Sequence, residues 1–152
     1  MAGQFECCKL VSMEMNPLVP ELYCTDIAKS LDFYCKILGF SIVYDRPEAK
    51  FAFIQREDVQ LMLEELTEKD RKWLSGALEK PFGRGANFQM SVTGIRAFSE
   101  VLRTHHIPFF QDIEEKWYRR ANDTVGNCQF VIQDPDGYLL RFSETIGTKP
   151  NR

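Results

Sequence analysis

VPELYCT at residues 19–25, followed by Asp26, returns later in the chain as NFQMSVT at residues 87–93, followed by Gly94. Each stretch precedes an amphipathic helical run and then strand-like segments. The halves also end alike, in VQLMLEE at 59–65 and YLLRFSE at 138–144. An internal repeat fixes an architecture more firmly than local propensity does. The repeat predicts an α+β fold of two tandem βαβββ modules, with a ligand on the surface that the halves share.

Hydrophobic periodicity divides each module into elements. In the first module it predicts a strand at 18–25, a helix capped by Asp26 and ended by Gly39, and strands at 41–46, 50–56 and 59–65. That helix carries an apolar stripe of Ile27, Leu31, Tyr34 and Leu38. In the second module it predicts a strand at 86–93, a helix at 94–105, and strands at 109–120, 127–133 and 138–144. Ile95, Phe98, Val101 and Leu102 form the expected stripe of the second helix, and the DPDG sequence at 134–137 predicts a turn.

The expected organisation is one domain at 17–147, with module 1 at about 17–66, a connection at 67–85 and module 2 at about 86–147. Residues 1–16 are expected to form a loose arm, and residues 148–152 a tail. In the connection, Thr67 is expected to cap a short helix whose shared face carries Trp73, Leu74, Ala77 and Leu78. Pro81, Gly83 and Gly85 then break the chain.

Composition limits the class of protein. The chain has 152 residues, of which 44% are hydrophobic, the size of one globular domain. A net charge of −3 argues against a nucleic-acid partner. Five cysteines, an odd number without CxxC spacing, indicate a reducing compartment. No signal peptide and no apolar run of roughly 20 residues is visible, so we expect a cytoplasmic protein without a membrane partner.

Two stretches, LDFYCKILGFSIVYDRPEAKFAF at 31–53 and NCQFVIQDPDGYLLRF at 127–142, resemble the vicinal oxygen chelate superfamily. Within it the chain is similar to the glyoxalase/bleomycin-resistance group, and most of all to its bleomycin-resistance type, over about residues 17–147. The resemblance implies paired βαβββ modules whose sheets curl into an incomplete β-barrel around a ligand cavity. It also implies a homodimer, the common state of the family. A shared fold hosts many functions, so activity has to be read from the site.

Alternation of side chains along the first and last strand of each module predicts which residues face the cavity. On the first strand of each module the odd-numbered residues point inward. On the last strand the inward residues are the even-numbered ones in module 1 and the odd-numbered ones in module 2. They are Val19, Glu21, Tyr23, Gln60, Met62, Glu64, Asn87, Gln89, Ser91, Leu139, Arg141 and Ser143. The alternative is that this polar surface is only the solvated side of an antiparallel sheet.

The segment EEKWYRR at 114–120 is the expected aromatic contact for a ligand. Trp117 and Tyr118 are adjacent, so one of them points to each face of the strand. The inward ring, together with Phe51 or Phe53, could stack on a planar or cationic ligand. The alternative places Trp117 in the core or at a dimer interface.

The resemblance also locates the positions at which metal-dependent relatives carry His, Gln or Glu ligands. Those positions hold Val19, Met62, Asn87 and Arg141 in this sequence, and such a set is unsuited to a divalent cation. We therefore expect no metal, no cofactor and no catalytic residue. The only histidines, His105 and His106, are adjacent at the end of the second helix, where a helix-terminal role is expected.

These observations predict a metal-free antibiotic-binding protein of the bleomycin-resistance type, which acts by sequestering its ligand. Glu21 and Glu64 would offset the charge of a cationic ligand such as bleomycin, and Asn87, Gln89 and Ser91 would donate hydrogen bonds. Arg141 would instead suit a carboxylate or an enolate. One alternative is a metal-dependent enzyme of the superfamily, a glyoxalase-like lyase or isomerase or an extradiol dioxygenase. Another is a protein that binds an ordinary metabolite.

Overall fold

The computed structural model describes residues 13–67 and 73–151, which form two four-stranded mixed sheets. Sheet A, with strand order β1-β4-β3-β2, contains β1 (Glu21–Cys24), β2 (Ser41–Arg46), β3 (Phe51–Arg56) and β4 (Val59–Glu65). Sheet B, with order β5-β8-β7-β6, contains β5 (Asn87–Ser91), β6 (Phe109–Arg119), β7 (Asp123–Gln133) and β8 (Leu139–Pro150). Helix α1 (Ile27–Leu31) follows β1, and helix α2 (Ile95–Thr104) follows β5. The predicted pair of βαβββ modules is confirmed, and in the described ranges the two sheets do not close into a barrel.

The first helix begins as the sequence predicts and then changes its hydrogen bonding. The Oδ1 atom of Asp26 accepts a hydrogen bond from the Lys29 amide at 3.0 Å, which caps the first turn. The chain then continues as a wider π-helical segment, Asp32–Ile37. Gly39 ends it at a φ of +76°, a backbone conformation that favours glycine. The predicted regular helix is therefore wrong over its second half, although Tyr34 and Leu38 are buried as expected.

The second helix buries a narrower stripe than the sequence predicts. Ile95, Phe98 and Leu102 are buried against sheet B. Val101, which was expected to join them, is 46% exposed, and Ser99 is buried instead. Neighbouring residues on a helix lie about 100° apart. With Leu102 directed at the sheet, Val101 is turned toward solvent.

In both modules a glutamate of the last strand contacts the N-terminus of the helix. Glu65, at the end of β4, accepts a hydrogen bond from the Ile27 amide at 2.9 Å. Glu144, in β8, accepts hydrogen bonds from the amides of Gly94 at 2.9 Å and Ile95 at 3.0 Å. In both modules a glutamate of the last strand thus satisfies amides that the helix leaves unpaired at its N-terminus. These backbone hydrogen bonds are the main cause of a lowered pKa for both carboxyls, and Lys50 lowers the pKa of Glu65 further.

The core lies between each helix and the adjacent face of its sheet. Nine of the residues that alternation along the first and last strands predicts to face the helices are each at most 8% exposed: Leu22, Cys24, Leu61, Leu63, Met90, Val92, Tyr138, Leu140 and Phe142. Val59 and Phe88, predicted with them, are only half-buried, since they lie at the starts of β4 and β5. Aromatic rings fill module 2, where Phe98 meets Phe142 edge-on with centroids 5.1 Å apart. The buried residues of both modules form one continuous cluster.

The turn between β7 and β8 forms hydrogen bonds within itself and with module 1. Asp134 accepts hydrogen bonds through Oδ1 from the amides of residues 136–138, and through Oδ2 from the Tyr34 hydroxyl of module 1 at 3.0 Å. Burial raises the pKa of Asp134 and also that of Tyr34. Gly137 adopts a φ of +101°, as the predicted turn requires. The turn therefore connects module 2 to module 1.

Three segments outside the modules differ from expectation or extend it. Residues 73–85 contain no helix, so the predicted connecting helix is wrong there, and residues 68–72 lie outside the described ranges. Trp73 is 69% exposed, so its ring is not buried as the apolar face of an amphipathic helix would be. Strand β8 continues to Pro150, through part of the expected tail. Of the expected loose arm, residues 1–12 are not described, and residues 13–16 run alongside β4.

The described residues include no helix long and apolar enough to span a membrane.

Candidate functional site

Face A, which we define as the side of sheet A turned away from α1, brings five predicted site residues together. In the parallel pairing of β1 and β4, Glu21 lies opposite Met62 and Tyr23 lies opposite Glu64. In the next strand, Phe53 lies opposite Met62. Tyr23 and Phe53 are buried, at 7% and 0% exposure. Glu21 is exposed, and Met62 and Glu64 are half-buried, so these three form the part of the set that a ligand can reach.

Face A also contains two residues that the sequence did not reveal, both from the edge strand β2. The ring of Tyr44 stacks on Phe53, with centroids 5.2 Å apart and planes at 16°. The guanidinium carbon of Arg46 lies 4.0 Å from the centroid of the Phe51 ring. A bulge between Ile42 and Tyr44 interrupts the alternation of this strand, which is why its faces could not be assigned from the sequence. Tyr44 is 37% exposed and offers an aromatic surface that the buried Phe53 does not.

Face B, the side of sheet B turned away from α2, contains a second set of predicted residues. Asn87 lies opposite Leu139, Gln89 opposite Arg141, and Ser91 opposite Ser143. The three β5 side chains are exposed and Arg141 is half-buried. The Nε atom of Arg141 is buried without a hydrogen-bond partner among the described residues.

The aromatic segment of β6 divides between the two sides of sheet B. The Tyr118 hydroxyl accepts a hydrogen bond from Nε2 of Gln129 at 2.7 Å, and the same nitrogen donates to Glu114 at 2.9 Å. Gln129 lies opposite Ser143, so this cluster is on face B. Gln129 and Glu114 are further candidate residues of face B, which the sequence did not reveal. The alternation of β6 could not have shown them, because its register shifts twice before Glu114.

Trp117 lies on the helix side of sheet B, away from the other candidate residues. Its neighbour on that side, Glu115, forms an ion pair with Arg96 of α2. The Trp117 ring packs against Gly126, and Nζ of Lys149 lies 3.6 Å from its centroid. The rings of Phe51 and Phe53 contact Tyr44, and no ring contact in the described ranges joins them to the aromatic pair of β6.

Grooves along β5 and β1 bring some candidates together and separate others. Gln60, Asn87 and Gln89 line a groove of about 350 Å³ between the start of β4 and β5. Gln89 and Ser91 line an adjoining groove of about 390 Å³ together with residues 57–59. Glu21 and Tyr23 line a third, of about 300 Å³, with residues 73–78. The Gln60 amide is occupied, since it donates to the Glu14 carbonyl at 2.8 Å and accepts from the Asn16 amide at 2.7 Å.

The residues at the positions of the family's metal ligands do not fit a divalent cation. Val19 has no donor atom, and Met62 offers a thioether beside Glu21 and Phe53. Asn87 offers a single neutral amide oxygen opposite Leu139, and Arg141 places a cationic group beside Gln89. No group of three or more His, Cys, Asp or Glu side chains comes together in residues 13–67 and 73–151. His105 and His106 are exposed at the end of α2.

A family model for the Glyoxalase/Bleomycin resistance protein/Dioxygenase superfamily matches residues 15–142. This chain belongs to that superfamily. The match extends over both modules. It confirms the resemblance of the two quoted motifs.

Among curated members of the superfamily, bleomycin resistance proteins from Geobacillus stearothermophilus and Staphylococcus aureus are 27% identical over 137 residues, which covers 84% of this chain and 96% of theirs. Among solved structures, a virulence protein from Salmonella typhimurium has a TM-score of 0.67 at 18% identity, covering 88% of this chain and 100% of that chain. A lactoylglutathione lyase from Agrobacterium tumefaciens has a TM-score of 0.58 at 17% identity, covering 86% and 95%. At these identities the structural likeness shows the fold alone.

Proposed function

We propose that this protein binds a small molecule without a metal ion and acts by sequestering it, as a bleomycin-resistance-type member of its superfamily. The observation that carries the proposal is the residue set at the family's metal positions, where Val19, Met62, Asn87 and Arg141 form a set unsuited to a divalent cation. Met62 lies on β4, Asn87 on β5 and Arg141 on β8, whereas Val19 precedes β1. A scaffold that keeps its ligand surfaces without metal ligands is suited to binding.

The curated relatives named as bleomycin resistance proteins support bleomycin as the first ligand to test. Face A suits the cationic and planar parts of such a ligand. Glu21 and Glu64 supply negative charge on neighbouring strands. Tyr44 and Met62 supply an accessible aromatic ring and a polarisable thioether beside them, and both kinds of side chain make favourable contacts with aromatic or cationic groups.

Sequestration requires affinity and no chemical step. A nanomolar complex corresponds to about −12 kcal/mol, which tight packing and charge complementarity can supply. We further propose that the protein is a homodimer in the cytoplasm, as the family resemblance and the free thiols of Cys24, Cys35 and Cys128 favour. A second copy would add another face A and face B to the ligand site.

Calorimetric titration of the protein with metal-free bleomycin tests the proposal. The wild-type protein should bind with saturable stoichiometry, and Glu21→Gln should weaken binding by about threefold to tenfold because it removes one charge from face A. The matched control is Glu100→Gln, which removes the same charge from an exposed position on α2. Equal affinity of the two variants for bleomycin would show that face A does not bind it. Absence of binding by the wild-type protein would show that bleomycin is not the ligand.

A further inference from the structure

We propose that Arg141 makes face B a binding site for the anionic group of a ligand, a carboxylate of a small organic acid. The proposal rests on the proposed function in one respect, the absence of a metal ion. It goes beyond that function because it assigns a ligand class to face B. In this chain a permanently charged guanidinium lies at the position where the family resemblance implies a metal-binding glutamate in metal-dependent relatives.

The position of Arg141 within the sheet restricts its side chain. Strand β8 lies between β5 and β7, so Arg141 has Gln89 on one side and Val131 on the other. The residue is half-buried and its Nε atom is inaccessible to solvent, without a hydrogen-bond partner in the described ranges. Buried donors are nearly always paired in folded proteins. A ligand on face B would meet the accessible part of this half-buried side chain, and a small rotation of the guanidinium would bring Nε–H to the same acceptor.

The described part of the chain supplies no counter-charge to Arg141. Among residues 13–67 and 73–151, no carboxylate oxygen lies within 4.0 Å of its guanidinium nitrogens. The carboxylate of face B, Glu114, is on β6, two strands away, which corresponds to roughly 10 Å at the usual strand spacing. Glu114 is also occupied, since it accepts a hydrogen bond from Gln129.

The groups that surround Arg141 suit an anion better than a cation. Gln89 lies directly opposite and offers amide hydrogens, and Ser91 and Ser143 offer hydroxyl groups one step along the same strands. A guanidinium presents parallel N–H groups that match the two oxygens of a carboxylate. Face A carries two carboxylates, Glu21 and Glu64, and one cation, Arg46. An anionic ligand group is therefore better placed beside Arg141 on face B than on face A.

Side-chain NMR tests this assignment on the intact protein. The Nε–H signal of Arg141 is identified in a ¹H–¹⁵N spectrum by its loss in Arg141→Lys. Sodium benzoate is then titrated, with benzamide as a neutral probe of nearly the same size. Benzoate should shift the Arg141 Nε–H signal and the backbone amide of Gln89 in a saturable way, and benzamide should bind at least about tenfold more weakly.

Two variants of equal charge complete the test. Arg141→Gln should weaken benzoate binding at least about tenfold, followed at the Gln89 amide. Arg119→Gln removes the same charge from an exposed position on the other side of sheet B and should leave benzoate affinity unchanged. The proposal is overturned if benzoate causes no shift, if benzamide binds equally well, or if the two variants behave alike. Bleomycin binding without benzoate binding would overturn this inference alone, whereas Arg141-dependent benzoate binding without bleomycin binding would overturn only the drug-binding proposal.

Discussion

Thr25 and Asp136, one from each module, are joined by two hydrogen bonds. The Thr25 hydroxyl donates to Oδ1 of Asp136 at 2.6 Å, and the Thr25 amide donates to Oδ2 at 3.0 Å. The carboxylate is 1% exposed and also pairs with Lys80 at 2.9 Å. The end of β1 is thus fixed to the turn between β7 and β8. This contact holds the first strand of face A in a set position relative to sheet B.

Replacing Asp136 by alanine should destabilise the fold by about 2–4 kcal/mol, because it leaves buried donors of Thr25 and the Lys80 ammonium without their acceptor. Urea unfolding followed by circular dichroism measures the change. Asp32→Ala is the matched control, since Asp32 is 63% exposed in an ion pair with Lys36 and should lose less than about 0.5 kcal/mol. A loss of equal size in the two variants would show that the contact between the modules does not stabilise the protein.

The sequence predicted this turn but not its partner. Pro135 and Gly137 are local signals, and local signals determine a turn. The hydrogen bonds from Thr25 and Tyr34 to its two aspartates join residues 100 or more positions apart, and no periodicity records such a contact. The faces of the strands, by contrast, were predictable from the sequence. Alternation is local, and it correctly placed Gln89 opposite the helix side and Phe142 in the core.

Errors arose where tertiary packing overrides a local pattern. The apolar residues Trp73 and Leu74 resemble a helix face, yet the described part of the connection has no helix. Trp117 and Tyr118 were correctly expected on opposite faces of β6, but two register shifts earlier in that strand hid which ring points to face B. Only a structure could show that Tyr118 joins the Gln129 cluster.

Gly126 should tolerate a side chain poorly, because a Cβ atom there would lie 2.7 Å from the Trp117 ring and would force the ring to move. Gly126→Ala is expected to destabilise the protein by about 1–3 kcal/mol through overpacking. It should also shift the fluorescence of Trp117 by displacing the ring from Lys149. Gly76→Ala, at a glycine with nothing within 4 Å of the added atom, is the control and should stay within about 0.5 kcal/mol of the wild-type protein. Wild-type stability in Gly126→Ala would mean that Trp117 does not pack on this strand.

Glu144 should make stability depend on acid pH. Its folded-state pKa is lowered, from an ordinary value of 4.5, by hydrogen bonds from the amides of Gly94 and Ile95. A lowered pKa means that the unfolded chain takes up the proton first, so the contribution is present above pH 4.5 and is lost as pH falls through the folded-state value. Glu144→Gln, which weakens the cap of α2, should be about 0.5–2 kcal/mol less stable at pH 7.

The difference in unfolding free energy between wild-type protein and Glu144→Gln should therefore shrink when urea unfolding is repeated at progressively lower pH. Glu100→Gln, on the exposed side of α2, is the matched variant and should follow the wild-type curve. If the difference in unfolding free energy stayed constant to the lowest pH at which the wild-type protein is folded, the Glu144 carboxylate would not be the group that caps α2.

The central claim is that the protein binds its ligand without a metal ion. The most direct test measures the metal content of the purified protein and then its calorimetric affinity for metal-free bleomycin, before and after treatment with EDTA. The account predicts far less than one metal ion per chain and an affinity that EDTA leaves unchanged. One tightly bound Ni, Zn, Mn or Fe ion per chain, lost in Asn87→Ala, together with binding or turnover that EDTA abolishes and the metal restores, would contradict it.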